Sequence, residues 1–243
     1  MQTALNRVLI PIDVSGTVSL GGPLIETLPL AEAVLLGYWP IPEQTTASQA
    51  RNQFGTEAKQ RLEAVADRFS DRDVEVRTQL VFTRDRRELI DRATNQYACQ
   101  SVLIPGTEPP PSGTTRGIVL VKPDADLERM VTTLGTLFGE TGVELRLFHA
   151  VEDQDERLSD STEYMLRGMV DHLAALGIDR ERLTWDQSTD RDRLDVILSE
   201  AAEYDFIVLS ETQPNLRERV FGTVQSQLAT TTGKPLLTVR ARD

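Results

Sequence analysis

The chain of 243 residues contains little cysteine, histidine or lysine, and each shortage excludes a class of protein. One cysteine, Cys99, cannot form an internal disulfide, which fits a reducing compartment, and we expect it to be a small core residue. The two histidines, His149 and His172, have no cluster of partners at metal-ligand spacing, so no metal site is expected. No apolar run approaches the roughly 18 residues of a membrane span, and the N-terminus lacks a signal-peptide layout. We therefore expect a cytoplasmic protein that does not span a membrane.

Lysine occurs at only three positions, Lys59, Lys122 and Lys234, and the net charge is −12. Non-specific binding to nucleic acid requires a basic face, so this charge argues against nucleic-acid partners. An acidic, lysine-poor surface keeps a protein soluble where salt screens its self-repulsion. The composition therefore favours a salt-loving source organism, with drift in a GC-rich genome as the alternative explanation.

The chain repeats one pattern of β-rich runs and helical stripes, and the repeat predicts the fold. The run "RVLIPIDVS" begins the first half and "GIVLVKPDAD" the second, and the two apolar runs stop at Asp13 and Asp124. Apolar runs of this kind suit strands that are buried on both faces. Because strands alternate with helices, we predict an α/β fold of two tandem open parallel sheets with helices on both faces.

The second half, residues 117–243, is predicted as a complete domain. Apolar residues at helical spacing predict its helices, and Gly139 and Gly177 lie near two of the expected helix ends. Its first strand runs from residue 117. The further predicted strands lie near 143–151, 182–188, 205–210 and 235–240, and the helical stripes span 127–138, 165–173, 194–201 and 216–228.

The first half, residues 1–106, is predicted as a truncated domain. Its expected strands lie near 8–13, 31–39, 73–82 and 101–106, and its expected helices near 57–69 and 85–97. The segment "TEPPPSGTTRG" then replaces a last helix and a fifth strand, because three consecutive prolines cannot continue a helix. We interpret residues 107–116 as a stiff linker and as the domain boundary.

Two stretches resemble the universal stress protein family: "VLIPIDVS" in the first half and "FGTVQSQLATTTGKPLLTVR" at the end of the second. In that family a strand ends in P-x-D-x-S. Later, G-x-x-G and, after about nine residues, G-[ST] precede a helix and a P-[VL]-L-x-V strand. The resemblance implies adenine nucleotide alpha hydrolase-like domains with five parallel strands. Family members usually form dimers through their fifth strands, and some bind ATP at the strand ends.

The resemblance assigns a nucleotide site to the second half, but the pattern there is incomplete. Asp124 matches the family aspartate near the adenosine, and Gly222 with Thr223 matches G-[ST]. Ser210 and Gln213, however, stand at the two positions of G-x-x-G. Glycine reaches positive φ and lets backbone amides approach a phosphate. Forcing another residue into that conformation costs about 1–2 kcal/mol, and losing two charge-assisted amide bonds costs roughly 3–6 kcal/mol more.

The first half matches less of the site. Asp13 and Ser15 match the end of the first strand, and Gly106 stands at the first glycine of G-x-x-G, but Pro109 stands at the second. Neither half therefore holds a complete site, and we expect no cofactor and weak or absent ATP binding. A composite site, with one half lending residues to the other, stays open. The structural alternative is that the glycine of "FGT" only starts a helix and that the two aspartates act as caps.

Motifs of phosphate-binding loops, dinucleotide sites and serine nucleophile elbows are absent from the sequence. We therefore expect a non-catalytic stress-response protein of the universal stress type that regulates through association with itself or another protein. The first alternative is an ATP- or AMP-binding sensor that uses the second half and hydrolyses ATP slowly. The second is a soluble accessory to a transporter.

The missing fifth strand of the first half leads to a prediction about assembly. The strand "PLLTVR" at the end of the chain then has no equivalent strand to pair with, and an open edge strand tends to find a partner. We predict a homodimer through four residues of this strand, Leu236, Leu237, Thr238 and Val239.

Overall fold

The computed structural model describes residues 7–18, 30–107, 115–150, 156–188, 193–210 and 223–240. Its strands are Arg7–Asp13 (β1), Glu32–Pro40 (β2), Glu75–Thr83 (β3), Ser101–Ile104 (β4), Arg116–Leu120 (β5), Glu144–Ala150 (β6), Leu183–Ser188 (β7), Phe206–Ser210 (β8) and Leu236–Val239 (β9). Its α-helices are Ala47–Ala66 (α1), Arg86–Gln96 (α2), Leu127–Phe138 (α3), Glu156–Ala175 (α4), Arg193–Ala202 (α5) and Thr223–Thr232 (α6).

The described residues form two compact units. Residues 7–18 and 30–105 belong to the first unit, and the described residues from 106 onward belong to the second. Within each unit every strand pairing is parallel, and helices separate most of the successive strands. The predicted α/β class with parallel sheets is therefore confirmed.

In the first unit the strands lie in the order β3-β2-β1-β4. The apolar runs of β1 and β2 are almost fully buried, as the sequence predicts. Gly37 of β2 faces Leu62 of α1, and its neighbour Tyr38 lies under the guanidinium of Arg86 in α2. Successive strand residues point to opposite faces, so α1 and α2 cover opposite faces of this sheet.

Helix α1 is longer than predicted, because it begins at Ala47 rather than near residue 57. A capping box starts it: the Gln49 N–H donates to Thr46 Oγ1 over 3.2 Å, and the Thr46 N–H donates to Gln49 Oε1 over 3.0 Å. Its buried residues are Ala50, Ala58, Leu62 and Val65. Only one of its first ten residues, an alanine, is buried. The start of the helix therefore has almost no apolar periodicity from which the sequence could predict it.

A buried carboxylate joins the three outer strands of the first unit at their amino ends. Glu32, at the start of β2, is 2 % exposed. Its Oε2 lies 2.5 Å from Nη2 of Arg7 in β1, and its Oε1 lies 2.7 Å from Nε of Arg77 in β3. Arg7 also donates through Nη1 to the carbonyl oxygen of Tyr97 over 2.6 Å. Burial of the carboxylate is thus offset by two guanidinium partners.

In the second unit the strands lie in the order β9-β8-β5-β6-β7. The core contains an aromatic stack between Phe138 of α3 and Phe206 of β8, with ring centroids 5.4 Å apart. Gly117 of β5 makes room for this stack, since a Cβ at that position would lie 2.2 Å from the Phe206 ring. Helix α4 starts earlier than predicted, and its expected end is confirmed at Gly177, whose φ of +103° is the left-handed conformation that favours glycine.

Strand β5 ends at Leu120, four residues before the aspartate at which the sequence predicts its end. The Val121 N–H still donates to the Phe148 carbonyl of β6 over 2.8 Å. Beyond it the chain turns, and the Ala125 N–H donates to the Lys122 carbonyl over 3.1 Å. Pro123 has no N–H to offer a neighbouring strand, so the ladder cannot continue through it.

Strand β9 does not have the exposure expected of an open edge. Its four residues, Leu236, Leu237, Thr238 and Val239, are between 0 % and 2 % exposed within a single chain. Pairing with a second chain would first have to uncover them, so the burial does not support the β9 dimer, which stays a prediction. Cys99 is 4 % exposed, as expected for a small core residue. Within the described residues, no helix combines the length and the hydropathy needed to cross a membrane.

Candidate functional site

A small pocket lies at the carboxyl ends of three neighbouring strands of the second unit. Leu120 ends β5, Ala150 ends β6 and Ser210 ends β8. Open parallel α/β sheets bind their ligands outside this edge, so the pocket is the candidate site. Its lining residues are Leu120, Val121, Lys122, Phe148, Ala150, Ile197, Leu209 and Ser210.

The lining is apolar apart from two residues, Lys122 and Ser210. The Ser210 Oγ is buried and has no hydrogen-bond partner among the described residues. His149 lies between two lining residues of β6, but neighbouring strand residues face opposite sides, so its imidazole points away from the pocket. The histidine is 6 % exposed, and its Nδ1 lies 2.7 Å from the Val121 carbonyl oxygen, to which an Nδ1–H donates. His149 therefore connects β6 to the residue that directly follows β5.

The pocket is small for a nucleotide. Its volume is about 40 Å³. Ligand pockets are typically about 300–1,000 Å³, whereas a single water needs roughly 10–15 Å³. In the described part of the chain, the space beside Ser210 therefore accommodates one or a few waters.

Two aspartates lie near the start of α3, and the resemblance assigns a role near an adenosine only to the first, Asp124. Asp124 lies exposed in the turn after β5 and does not line the pocket. Asp126, two residues later, caps α3 by accepting the Arg129 N–H at Oδ1 over 3.0 Å. The sequence contains a signal for this cap, because an aspartate directly before the apolar stripe is a typical helix start. The capping role considered for Asp124 thus belongs to Asp126.

The remaining predicted residues of this site are only partly described. Gln213 and Gly222 lie outside the described residues, as do Leu216 and Val220 of the predicted last helical stripe. Thr223 is the first residue of α6.

In the first unit, Asp13 and Ser15 bond to each other. The Ser15 N–H and Oγ–H both donate to Asp13 Oδ1, over 2.9 Å and 2.6 Å. These two bonds form a local turn at the end of β1. Asp13 lies opposite Tyr38 in the parallel register of β1 and β2. The structure therefore brings the predicted pair together, as a turn on the surface.

Tyr38 was not identified from the sequence, and it occupies the carboxyl end of the first sheet. It is 5 % exposed, and the Arg86 guanidinium lies 5.2 Å from its ring centroid. Burial raises the pKa of the Tyr38 hydroxyl, Arg86 acts to lower it, and the Asp13 carboxylate acts to raise it further. The sequence did contain a signal for this role, because an aromatic residue lies near the end of a strand that is predicted to be buried.

Gly106 has a packing role in the structure. A Cβ at this position would lie 2.6 Å from Cδ of Pro235 and 2.7 Å from the Gly233 carbonyl oxygen. The next residue, Thr107, donates its N–H to the same carbonyl over 2.8 Å. Glycine is needed at this position because two stretches of backbone approach each other closely. No cluster of three potential metal ligands occurs within the described residues.

Comparisons with known proteins show the fold. No family model matches the sequence, and neither does any curated protein sequence. A universal stress protein from Archaeoglobus fulgidus aligns with 98 % of this chain and 97 % of its own, at a TM-score of 0.59 and 15 % identity. A functionally unknown protein from Pseudomonas aeruginosa aligns with 98 % of this chain and 93 % of its own, at a TM-score of 0.51 and 14 % identity. The chain therefore has the fold of the A. fulgidus universal stress protein.

Proposed function

We propose that this chain is a stress-response protein of the universal stress type that has no catalytic activity and acts by association with itself or another protein. One observation carries the proposal. At the edge of the sheet where α/β proteins bind ligands, the second unit has a mainly apolar pocket of about 40 Å³, and its buried Ser210 hydroxyl has no partner among the described residues. In the part of the chain that the structure describes, this pocket is far smaller than the roughly 300–1,000 Å³ of a typical ligand pocket, and it offers a triphosphate only two side-chain donors, Lys122 and Ser210.

The residues of the candidate site support this interpretation in energetic terms. A serine in place of glycine adds a side chain where backbone amides would approach a phosphate. Two lost charge-assisted bonds and a strained backbone together weaken binding by roughly a thousandfold or more. A helix start at Thr223 returns about 0.3–1 kcal/mol through its dipole, which does not offset that loss.

The second candidate function is an ATP- or AMP-binding sensor that uses the second half. Lys122 favours it, because this cation lines the pocket and an ammonium group can pair with a phosphate. The helix start at Thr223 would add backbone donors. Slow ATP hydrolysis would belong to this second function.

Calorimetry with ATP and Mg²⁺ separates the two functions. The non-catalytic protein should show no binding tighter than about 10 μM, equivalent to roughly −7 kcal/mol. A tighter Kd that weakens in Lys122→Met would overturn the proposal and favour the sensor. Native mass spectrometry of the purified chain provides a second measurement, since a retained nucleotide would add its mass.

The finer features of the proposal have their own tests. We propose a tandem arrangement with a boundary at residues 107–116, a cytoplasmic location and a salt-adapted surface. A melting temperature that does not rise between low and molar KCl would contradict salt adaptation. The homodimer through Leu236–Val239 stays a prediction, which light scattering at micromolar concentration tests. Association with a transporter would be tested by a pull-down with the purified carrier.

A further inference from the structure

Strand β3 is the outermost strand of the first sheet, and its outer edge lacks the usual protection. Among the described residues β3 pairs with β2 alone. Its last six residues, "TQLVFT", contain no charge and no proline, although 26 % of the chain is charged. Natural edge strands usually carry lysine, proline or a bulge that prevents pairing with another chain. This segment has none of these features, so it is suited to adding another strand.

The hydrogen bonds to β2 show which backbone groups face outward. The Glu75 N–H donates to the Ala31 carbonyl, and the Thr83 carbonyl accepts the Ile41 N–H, both over 3.0 Å. Odd-numbered residues of β3 therefore direct their backbone groups toward β2. Because these groups alternate along a strand, even-numbered residues direct theirs outward. The outward residues are Val76, Thr78, Leu80 and Phe82.

We propose that two copies of this chain associate by antiparallel pairing of their β3 strands about a two-fold axis at Gln79. In this register Val76 faces Phe82 of the second copy, and Thr78 faces Leu80. Each such pair exchanges two backbone bonds, so the interface forms about eight. The interface does not depend on the state of the nucleotide site.

Gln79 itself supports this register. Its Oε1 is buried and has no hydrogen-bond partner among the described residues. On the axis, Gln79 faces its own counterpart as a non-hydrogen-bonded pair, in which Cα atoms lie about 4.5 Å apart and side chains are closest. The carboxamide of one copy can then donate to the unpartnered oxygen of the other. Turning of the carboxamide toward the axis thus gives this buried orphan acceptor a partner in the dimer.

The charge distribution favours a second copy of this chain as the occupant. Residues 1–20 and 30–105 contain 12 acidic and 11 basic residues, so two copies of this part repel each other little. The outermost strand β7 of the second unit is shorter and contains Asp186, which pairs with Arg146. In β7 the charge lies within the strand, whereas the exposed charges of β3, Glu75 and Arg77, lie in its first three residues, before the uncharged segment. Of the two strands, β3 is the one suited to self-association.

Cysteine cross-linking tests the register directly. Gln79→Cys, in a Cys99→Ala background, places two thiols across the axis at a Cα separation of about 4.5 Å, within the range of a disulfide. We expect a covalent dimer to form in mild oxidant. The matched control is Val81→Cys, two residues along the same face of the strand. In the proposed register Val81 faces Arg77, so its thiols lie too far apart to bond.

Edge substitutions test whether the same surface holds the dimer in solution. Thr78 is exposed, and Thr78→Lys should raise the dimer Kd, measured by sedimentation, at least about tenfold. Thr184→Lys, at an exposed position of β7, is the matched control and should leave the Kd unchanged. A monomer up to about 500 μM in molar KCl, where charge repulsion is screened, would overturn the proposal. Equal cross-linking of Gln79→Cys and Val81→Cys would also overturn it. A dimer whose Kd responds to substitutions in β9 but not to Thr78→Lys would do the same.

Discussion

The two units share one class of fold, but they differ in where they place charge. The part of the chain in the first unit, residues 1–20 and 30–105, has a net charge of −1, and the rest has a net charge of −11. In the first unit a fully buried carboxylate, Glu32, is held between Arg7 and Arg77. In the second unit the ion pair of Arg146 with Asp186 lies at the surface. Similar parallel sheets thus tolerate an ion pair that is buried in one unit and at the surface in the other, because their apolar strands supply the core.

The carboxyl ends of the two sheets differ in the same way. In the first unit a large side chain, Tyr38, fills the space beneath Arg86. In the second unit mainly apolar residues surround a pocket, and the buried Ser210 hydroxyl has no hydrogen-bond partner in the part of the chain that the structure describes. The two ends therefore differ in how their space is used: one is filled by a side chain, and the other, among the described residues, contains a pocket the size of a few waters.

The largest effect is expected from removing the buried charge of the first unit. Glu32→Gln leaves Arg7 without its carboxylate partner and leaves Arg77 with only the exposed Glu75, so we expect the free energy of unfolding to fall by about 3 kcal/mol. Each unit contains one tryptophan, Trp39 or Trp185. Urea unfolding followed by Trp39 fluorescence, in a Trp185→Phe background, measures the first unit.

The second unit supplies the control for this measurement. Asp186 is 52 % exposed and pairs with Arg146, so Asp186→Asn should cost less than about 1 kcal/mol. Its effect is measured from Trp185 fluorescence in a Trp39→Phe background. Equal losses from the two substitutions would show that the units do not differ in their use of charge.

A close backbone approach predicts the next effect. Gly106→Ala places a methyl group 2.7 Å from the Gly233 carbonyl, and relief of that contact should cost about 1–3 kcal/mol. The expected fall in melting temperature is roughly 2–4 °C per kcal/mol for a chain of this size. Gly16→Ala is the matched control, because a Cβ at Gly16 has no neighbour within 4 Å. If the two variants have the same melting temperature, the proposed packing role of Gly106 is contradicted.

A smaller effect is expected at the candidate pocket. Ser210→Ala removes a buried hydroxyl that has no partner in the described part of the chain, so stability should stay constant or rise by up to about 1 kcal/mol. Nucleotide titration of this variant should match the parent chain. A loss of more than about 1 kcal/mol would show that the hydroxyl holds a bonded partner, such as an ordered water or a ligand.

The smallest effect concerns alkaline pH. Burial raises the pKa of Tyr38 above its usual value near 10, so the folded chain holds this proton more tightly than the unfolded chain does. The resulting stability is complete below about pH 10 and is lost as the pH rises through the folded pKa. Ultraviolet titration of the tyrosinate should show one late transition that is absent from Tyr38→Phe. Identical titrations would contradict the proposed burial effect.

Much of the fold followed from local patterns. The apolar runs of β1 and β8 predicted buried parallel strands, and Gly177 predicted the end of a helix, because strand burial and left-handed glycine leave a short-range signature. The start of α1 was missed, since its first turns are held by a cap and carry few apolar residues. The end of β5 was placed too late, because the apolar run continues into a turn that Pro123 imposes.

The sequence by itself determined the alternation of strands and helices, the acidic surface, and the departure from the glycine pattern at Ser210. Only the tertiary structure decided which polar groups are buried with partners and which without. Glu32 meets its two cations, and Gly106 meets Gly233, across long separations in the chain. Pair contacts of this kind depend on how the strands align, and strand alignment is set by the packing of the whole sheet rather than by neighbouring residues.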